Sequence, residues 1–146
     1  MRKNKILPFI SILIFTISVI NNCSYFPQRA KLPPIYEDIT PEESFRLIQQ
    51  HLGDEDFVIL DVRTPEEIDK GYIKNSKFID FKSDNFIKEI TKLDKTKIYL
   101  IYCKGGVRSE EAMQIMERMK FEYLYNMLRG FDEWKELEFP QVNFRK

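Results

Sequence analysis

Histidine and cysteine are scarce in this chain: one His and two Cys among 146 residues. A zinc cage draws several donors from those types, so no metal is expected. A Cys–His catalytic pair is not supported either, because His51 reads as a surface residue near the end of a helix. An excess of charge of one sign is also lacking. Lys and Arg number 23, Asp and Glu 23, and no broad basic patch stands out. Nucleic acid is therefore not an expected partner. A long apolar run is missing too. The stretch Ile6–Ile20 has 15 residues, where a membrane-spanning helix needs roughly 20.

What is present is the balance of an ordinary soluble domain, with 43% hydrophobic and 32% charged residues. The length fits one domain. Twelve Phe, seven Tyr and one Trp supply bulk for its core.

The first residues read differently. Met1–Lys5 carries three positive charges and no acidic residue, the apolar stretch follows, and Cys23 comes just after it. That order reads as an export signal over residues 1–22. Ile20-Asn21-Asn22-Cys23 resembles a bacterial lipobox, whose cysteine is lipidated and becomes the new N-terminus. Asn22 stands where a small residue is usual. An uncleaved anchor and a plain cleaved signal are the alternatives. All three place the domain outside the cytoplasm, facing the periplasm or the cell exterior. Loss of Arg2, Lys3 and Lys5 takes the 23 basic residues to 20 against 23 acidic, a net −3. If Cys23 carries lipid, Cys103 has no disulfide partner, and an unpaired thiol in an exported domain stands out.

Residues 23–35 hold three prolines and read as an extended tether. The domain is expected over 36–146. Tyr36–Ile39 is a short strand. Thr40-Pro41-Glu42-Glu43 has the signature of a helix start, with Thr as N-cap, Pro next and Glu three residues after the cap. That helix is expected to reach about His51, with Phe45, Ile48 and Leu52 on one face. Phe57–Leu60 is a buried-type strand ending at Asp61. Thr64-Pro65-Glu66-Glu67 repeats the helix-start signature. Lys77–Ile79 is a weak strand, and Ser83 caps a helix with Phe86, Ile87 and Ile90 on one face. Lys97–Tyr102 is the most apolar strand and is expected at the centre. Ala112, Ile115, Met116 and Met119 form a helical apolar stripe. Tyr123–Met127 is a strand, and Gly130–Leu137 a helix holding Trp134. Strands alternating with helices predict an α/β fold with a mostly parallel sheet and helices on both faces. Ligand sites of such sheets lie beyond the carboxyl ends of the strands. Asp61 and Cys103 both fall there.

The loop Cys103-Lys104-Gly105-Gly106-Val107-Arg108 joins a strand to a helix N-terminus. Glycines let successive N–H groups turn inward. The helix start adds positive partial charge, and Lys104 and Arg108 add full charges. A thiolate is an anion, so such a loop favours the reactive form of Cys103 and an anionic substrate alike.

With these residues in view, the chain resembles the rhodanese family of sulfurtransferases from about Tyr36 to Pro140. "LDVRTPEEIDKGYI" (Leu60–Ile73) is similar to its aspartate-bearing motif, "YCKGGVRSEEA" to its active-site loop, and "NMLRGFDEW" followed by Pro140 to its C-terminal signature. The resemblance implies that Cys103 is the nucleophile that becomes a persulfide, and that Arg108 assists it. Lys104, Gly105, Gly106 and Val107 would cradle persulfide and substrate. Asp61 or Arg63 would fix the loop through a charged hydrogen bond involving Arg108, with Arg63 also near the substrate. Trp134 would pack near the rim. Four residues separate Cys103 from Arg108, where the related phosphatase domains place five, and the shorter loop suits sulfur. Tyr72, Lys74-Asn75-Ser76 and Arg129-Gly130 depart from the family's usual His, Pro-Gly-Ala turn and glycine pair, which bears on rim shape and substrate.

The expected function is sulfane-sulfur transfer from thiosulfate or a persulfide donor to a thiol or cyanide. Partners would be a small anionic donor or a persulfide-carrying protein, with a membrane held through the N-terminal lipid or anchor. No cofactor is required. A non-catalytic binding module and a thiol redox sensor are the rival readings.

Overall fold

The computed structural model describes residues 33–143. The expected export signal, Cys23 and most of the tether lie outside them. Among the described residues no helix is long and apolar enough to cross a membrane.

Among the described residues, five strands and five helices alternate. They are β1 (Ile35–Ile39), α1 (Pro41–Gln50), β2 (Phe57–Asp61), α2 (Pro65–Ile68), β3 (Lys77–Phe78), α3 (Phe86–Ile90), β4 (Ile98–Tyr102), α4 (Val107–Arg118), β5 (Tyr123–Met127) and α5 (Gly130–Glu136). The strands pair in the order β1-β5-β4-β2-β3, all parallel. The apolar strand β4 is central, as its sequence predicts.

Alternation along the strands sends side chains to two cores. Tyr99 and Ile101 of β4 pack with Phe86 and Ile90 of α3 and with Ala112 and Met116 of α4. Leu100 and Tyr102 face the other way, onto Phe131 and Trp134 of α5, with Phe45 and Ile48 of α1 alongside. Helices thus cover both faces, the arrangement a parallel sheet needs to bury its strands.

Both Thr-Pro-Glu-Glu stretches start helices. Thr40 N–H donates to Glu43 Oε2 at 2.9 Å, and Glu43 N–H donates to Thr40 Oγ1 at 3.3 Å. Thr64 N–H donates to Glu67 Oε2 at 3.0 Å. Three details differ from the sequence pattern. Leu52 is 67% exposed, because α1 stops at Gln50 and a turn carries Leu52 off the helical face. Ile87 is half exposed, because the five-residue α3 packs only its Phe86–Ile90 edge. Ser83 precedes α3 in a turn where its Oγ accepts Asn85 N–H at 3.2 Å, and Asn85 takes the N-cap position.

Candidate active site

Register fixes the site. Asp61 at the end of β2 lies opposite Tyr102 at the end of β4, and Cys103 follows on the core side of α4. The chain then turns through Lys104 and Gly105 to Gly106, which caps α4 at φ +99°. That conformation disfavours a side chain. A Cβ at Gly106 would also sit 2.9 Å from Arg129 N.

Two amides at the start of α5 hold the outside of the loop. Phe131 N–H donates to Cys103 O at 2.8 Å and Asp132 N–H to Lys104 O at 3.0 Å. The approach is so close that a Cβ on Gly130 would fall on the Cys103 carbonyl. With its carbonyls tied outward, the loop turns an N–H inward. Gly106 N–H donates to Cys103 Sγ at 3.1 Å. Ser109 Oγ lies 3.6 Å from the sulfur and 2.8 Å from Gly106 O. A hydroxyl has a single proton, and the shorter contact takes it. Cys103 itself is 1% exposed, at the bottom of the cradle. Gly105 and Val107 are exposed above it, and Gly105 has open space where a Cβ would project.

Arg108 does not meet Asp61 or Arg63. Its two terminal nitrogens donate to the two carboxylate oxygens of Glu67, at 2.7 and 2.8 Å. Asp61 pairs instead with Arg63, whose Nε and Nη2 reach its carboxylate at 2.9 and 2.6 Å. The reason is reach. Asp61 and Arg63 flank Val62 in the same buried corner and satisfy each other there, and Arg63 also donates to Gly71 O at 2.8 Å. Glu67, one helical turn on, projects towards α4. The Arg108 hydrogen bonds lower the Glu67 carboxyl to about 2, against a partial burial that would raise it. Glu67 was legible in sequence only as the closing member of a capping box, since its partner lies 41 positions away.

Comparison with known proteins adds the decisive observation. The family model described as "Rhodanese-like domain" matches residues 44–137, which span Asp61, the cradle and Trp134. The chain belongs to the rhodanese-like domain family. Thiosulfate sulfurtransferase GlpE of Coxiella burnetii is 29% identical over 101 residues, covering 69% of this chain and 89% of that protein. A tRNA uridine(34) hydroxylase of Pelagibacter ubique is 35% identical over 80 residues, 54% of this chain but 27% of that protein. The crystal structure of a rhodanese-like domain protein from Staphylococcus aureus is 33% identical, covers 68% of this chain and 91% of that one, and superposes with a TM-score of 0.57.

Within this rhodanese-like domain, Trp134 is buried and has a packing role. Its Nε1 donates to Pro140 O at 3.0 Å, and its ring packs against Phe45 and Phe139. His51 caps α1, accepts or donates at 2.7 Å with Asp54, and stacks on Phe57. Two departures from the family pattern take up left-handed backbone. Asn75 has φ +67° and Arg129 +57°. Asn tolerates that region better than most residues.

Proposed function

We propose that the chain is a sulfurtransferase working through a Cys103 persulfide. The single observation that carries this reading is the Cys103 sulfur at 3.1 Å from an inward N–H at the α4 N-terminus, in a four-residue loop closed by Arg108. Membership of a family that includes thiosulfate sulfurtransferases supports it.

The chemistry balances without a cofactor. The Cys103 thiolate attacks the outer sulfur of thiosulfate, the S–S bond of the donor breaks, and sulfite leaves with the electron pair. A thiolate or cyanide then attacks the outer sulfur of the Cys103 persulfide, and the electron pair returns to Cys103. One transfer becomes two displacements at one atom. The Gly106 N–H and the charges of Lys104 and Arg108 stabilise the anionic sulfur in both states. Gly105 adds no side chain to the loop, and Val107 is exposed beside it. Asp61 holds Arg63, and Glu67 holds Arg108.

The same reading places the domain outside the cytoplasm, held to a membrane through lipid on Cys23, and meeting either a small anionic donor or a persulfide-carrying protein. The basic start, the short apolar stretch and the cysteine support it. Assay of sulfur transfer from thiosulfate to cyanide tests the reaction. The wild type should turn over and Cys103→Ser should not. Undiminished turnover in that variant contradicts the assignment.

A further inference from the structure

Beside the cradle, on the α5 side of Lys104, lies a second cavity of about 100 Å³, lined by Arg63, Glu67, Lys70, Lys104, Phe131, Asp132 and Lys135. Cys103, Gly105 and Arg108 do not line it. It is a neighbour of the sulfur site, joined to it through Lys104 and through the Phe131 N–H that holds the Cys103 carbonyl.

Its charges do not cancel. Arg63 is matched by buried Asp61 at 2.6 Å, and Glu67 by Arg108 at 2.7 Å. That leaves Lys70, Lys104 and Lys135 facing Asp132 alone. Asp132 lies 3.2 Å from Lys135 and 4.0 Å from Lys104, so it is shared between them and satisfies neither fully. The Phe131 ring stacks on Arg63 at 4.1 Å and lies 5.6 Å from the Lys135 ammonium. An aromatic wall backed by a guanidinium keeps the site in place, and two surplus cations suit an anionic head group. The volume holds several waters' worth of ligand, enough for a carboxylate.

We infer that this cavity is an anion subsite for the carboxylate of a low-molecular-weight thiol whose sulfur reacts at Cys103. The inference rests on the sulfur-transfer reading and narrows its acceptor. Lys70 and Lys135, with Lys104, select acceptors that carry a carboxylate a few bonds from the thiol. Neutral thiols of similar reactivity gain nothing from them.

Two measurements separate this from the parent reading. The first uses the full chain with thiosulfate as donor and compares 3-mercaptopropionate with 2-mercaptoethanol as acceptors. The wild type should favour mercaptopropionate in kcat/KM, and Lys135→Ala and Lys70→Ala should each cut that preference severalfold, through KM rather than kcat. An unchanged preference overturns the subsite. The second titrates Cys103→Ser, which cannot transfer sulfur, with propionate and follows the backbone amides of Phe131 and Asp132 by NMR. Saturable shifts that Lys135→Ala abolishes support the subsite. Their absence overturns it even where sulfur transfer is intact. Shifts without any wild-type transfer keep the anion site and sink the sulfur-transfer reading instead.

Discussion

Glu67 carries more of the site than its place in a short helix implies. One carboxylate closes the start of α2 through Thr64 and grips both terminal nitrogens of Arg108. A hydrogen bond to a charged group contributes about 1.5–3 kcal/mol, and this one sets where the Arg108 charge lies. Arg108→Ala should therefore lower turnover by roughly 10-fold or more, the rate equivalent of such a contact. Unchanged kinetics with thiosulfate would make the Arg108–Glu67 pair purely structural. Glu67 also has a pH signature. Its carboxyl is depressed in the fold, from 4.5 to about 2, first by the Arg108 hydrogen bonds. A depressed carboxyl stabilises the fold above its unfolded value and loses that contribution as pH falls through the folded one. The pair is partly open to water, so screening trims the contribution to about 1 kcal/mol. Glu67→Gln keeps the Thr64 cap and removes the charge. Urea unfolding should show the wild type more stable than this variant at about pH 6, with the gap shrinking below about pH 4.5 and closing only near pH 2. A gap independent of pH contradicts the pair.

The element that makes the cradle is the junction of β4, the loop and α4, and its two glycines differ in kind. Gly106 sits at φ +99° with Arg129 N where a Cβ would go, whereas Gly105 faces open space. Gly106→Ala should cost on the order of 1–3 kcal/mol of stability and disturb the N–H that meets the sulfur. Gly105→Ala should stay within about 0.5 kcal/mol of the wild type. Equal effects in urea unfolding would mean that the cap conformation is not what holds the loop. The strand–loop–helix pattern here was legible in sequence, because it is local: an apolar run, glycines and a helical stripe in consecutive residues. The two capping signatures were legible for the same reason. Contacts between distant segments were not. Nothing in Leu60–Ile73 tells that Arg108 chooses Glu67 over Asp61, or that the amides of α5 brace the Cys103 and Lys104 carbonyls. Those depend on how β2, β4 and β5 line up. Helix ends were legible only to within a turn, so Leu52 was expected on the face of α1 that carries Phe45 and Ile48, whereas the helix ends at Gln50 before it.

At the scale of the whole molecule, two separate segments brace the loop after β4: α2 through Glu67 and Arg108, and the start of α5 through the Cys103 and Lys104 carbonyls. The parallel sheet brings them together because every strand delivers its carboxyl end to the same edge. The sequence before the described residues decides where that edge works. If Cys23 is lipidated, a palmitate analogue should label the wild type in cells and not Cys23→Ala, since stable anchoring takes more than one acyl chain. A purified protein that retains residues 1–22 and takes up no label contradicts lipidation and points to an uncleaved anchor. The sulfur chemistry itself belongs to Cys103. Intact-mass measurement after incubation with thiosulfate should show the wild type gaining about 32 Da, one sulfur atom held on an activated thiolate. The gain should vanish on addition of cyanide and be absent in Cys103→Ser. No gain in the wild type, or the same gain in the variant, contradicts a Cys103 persulfide.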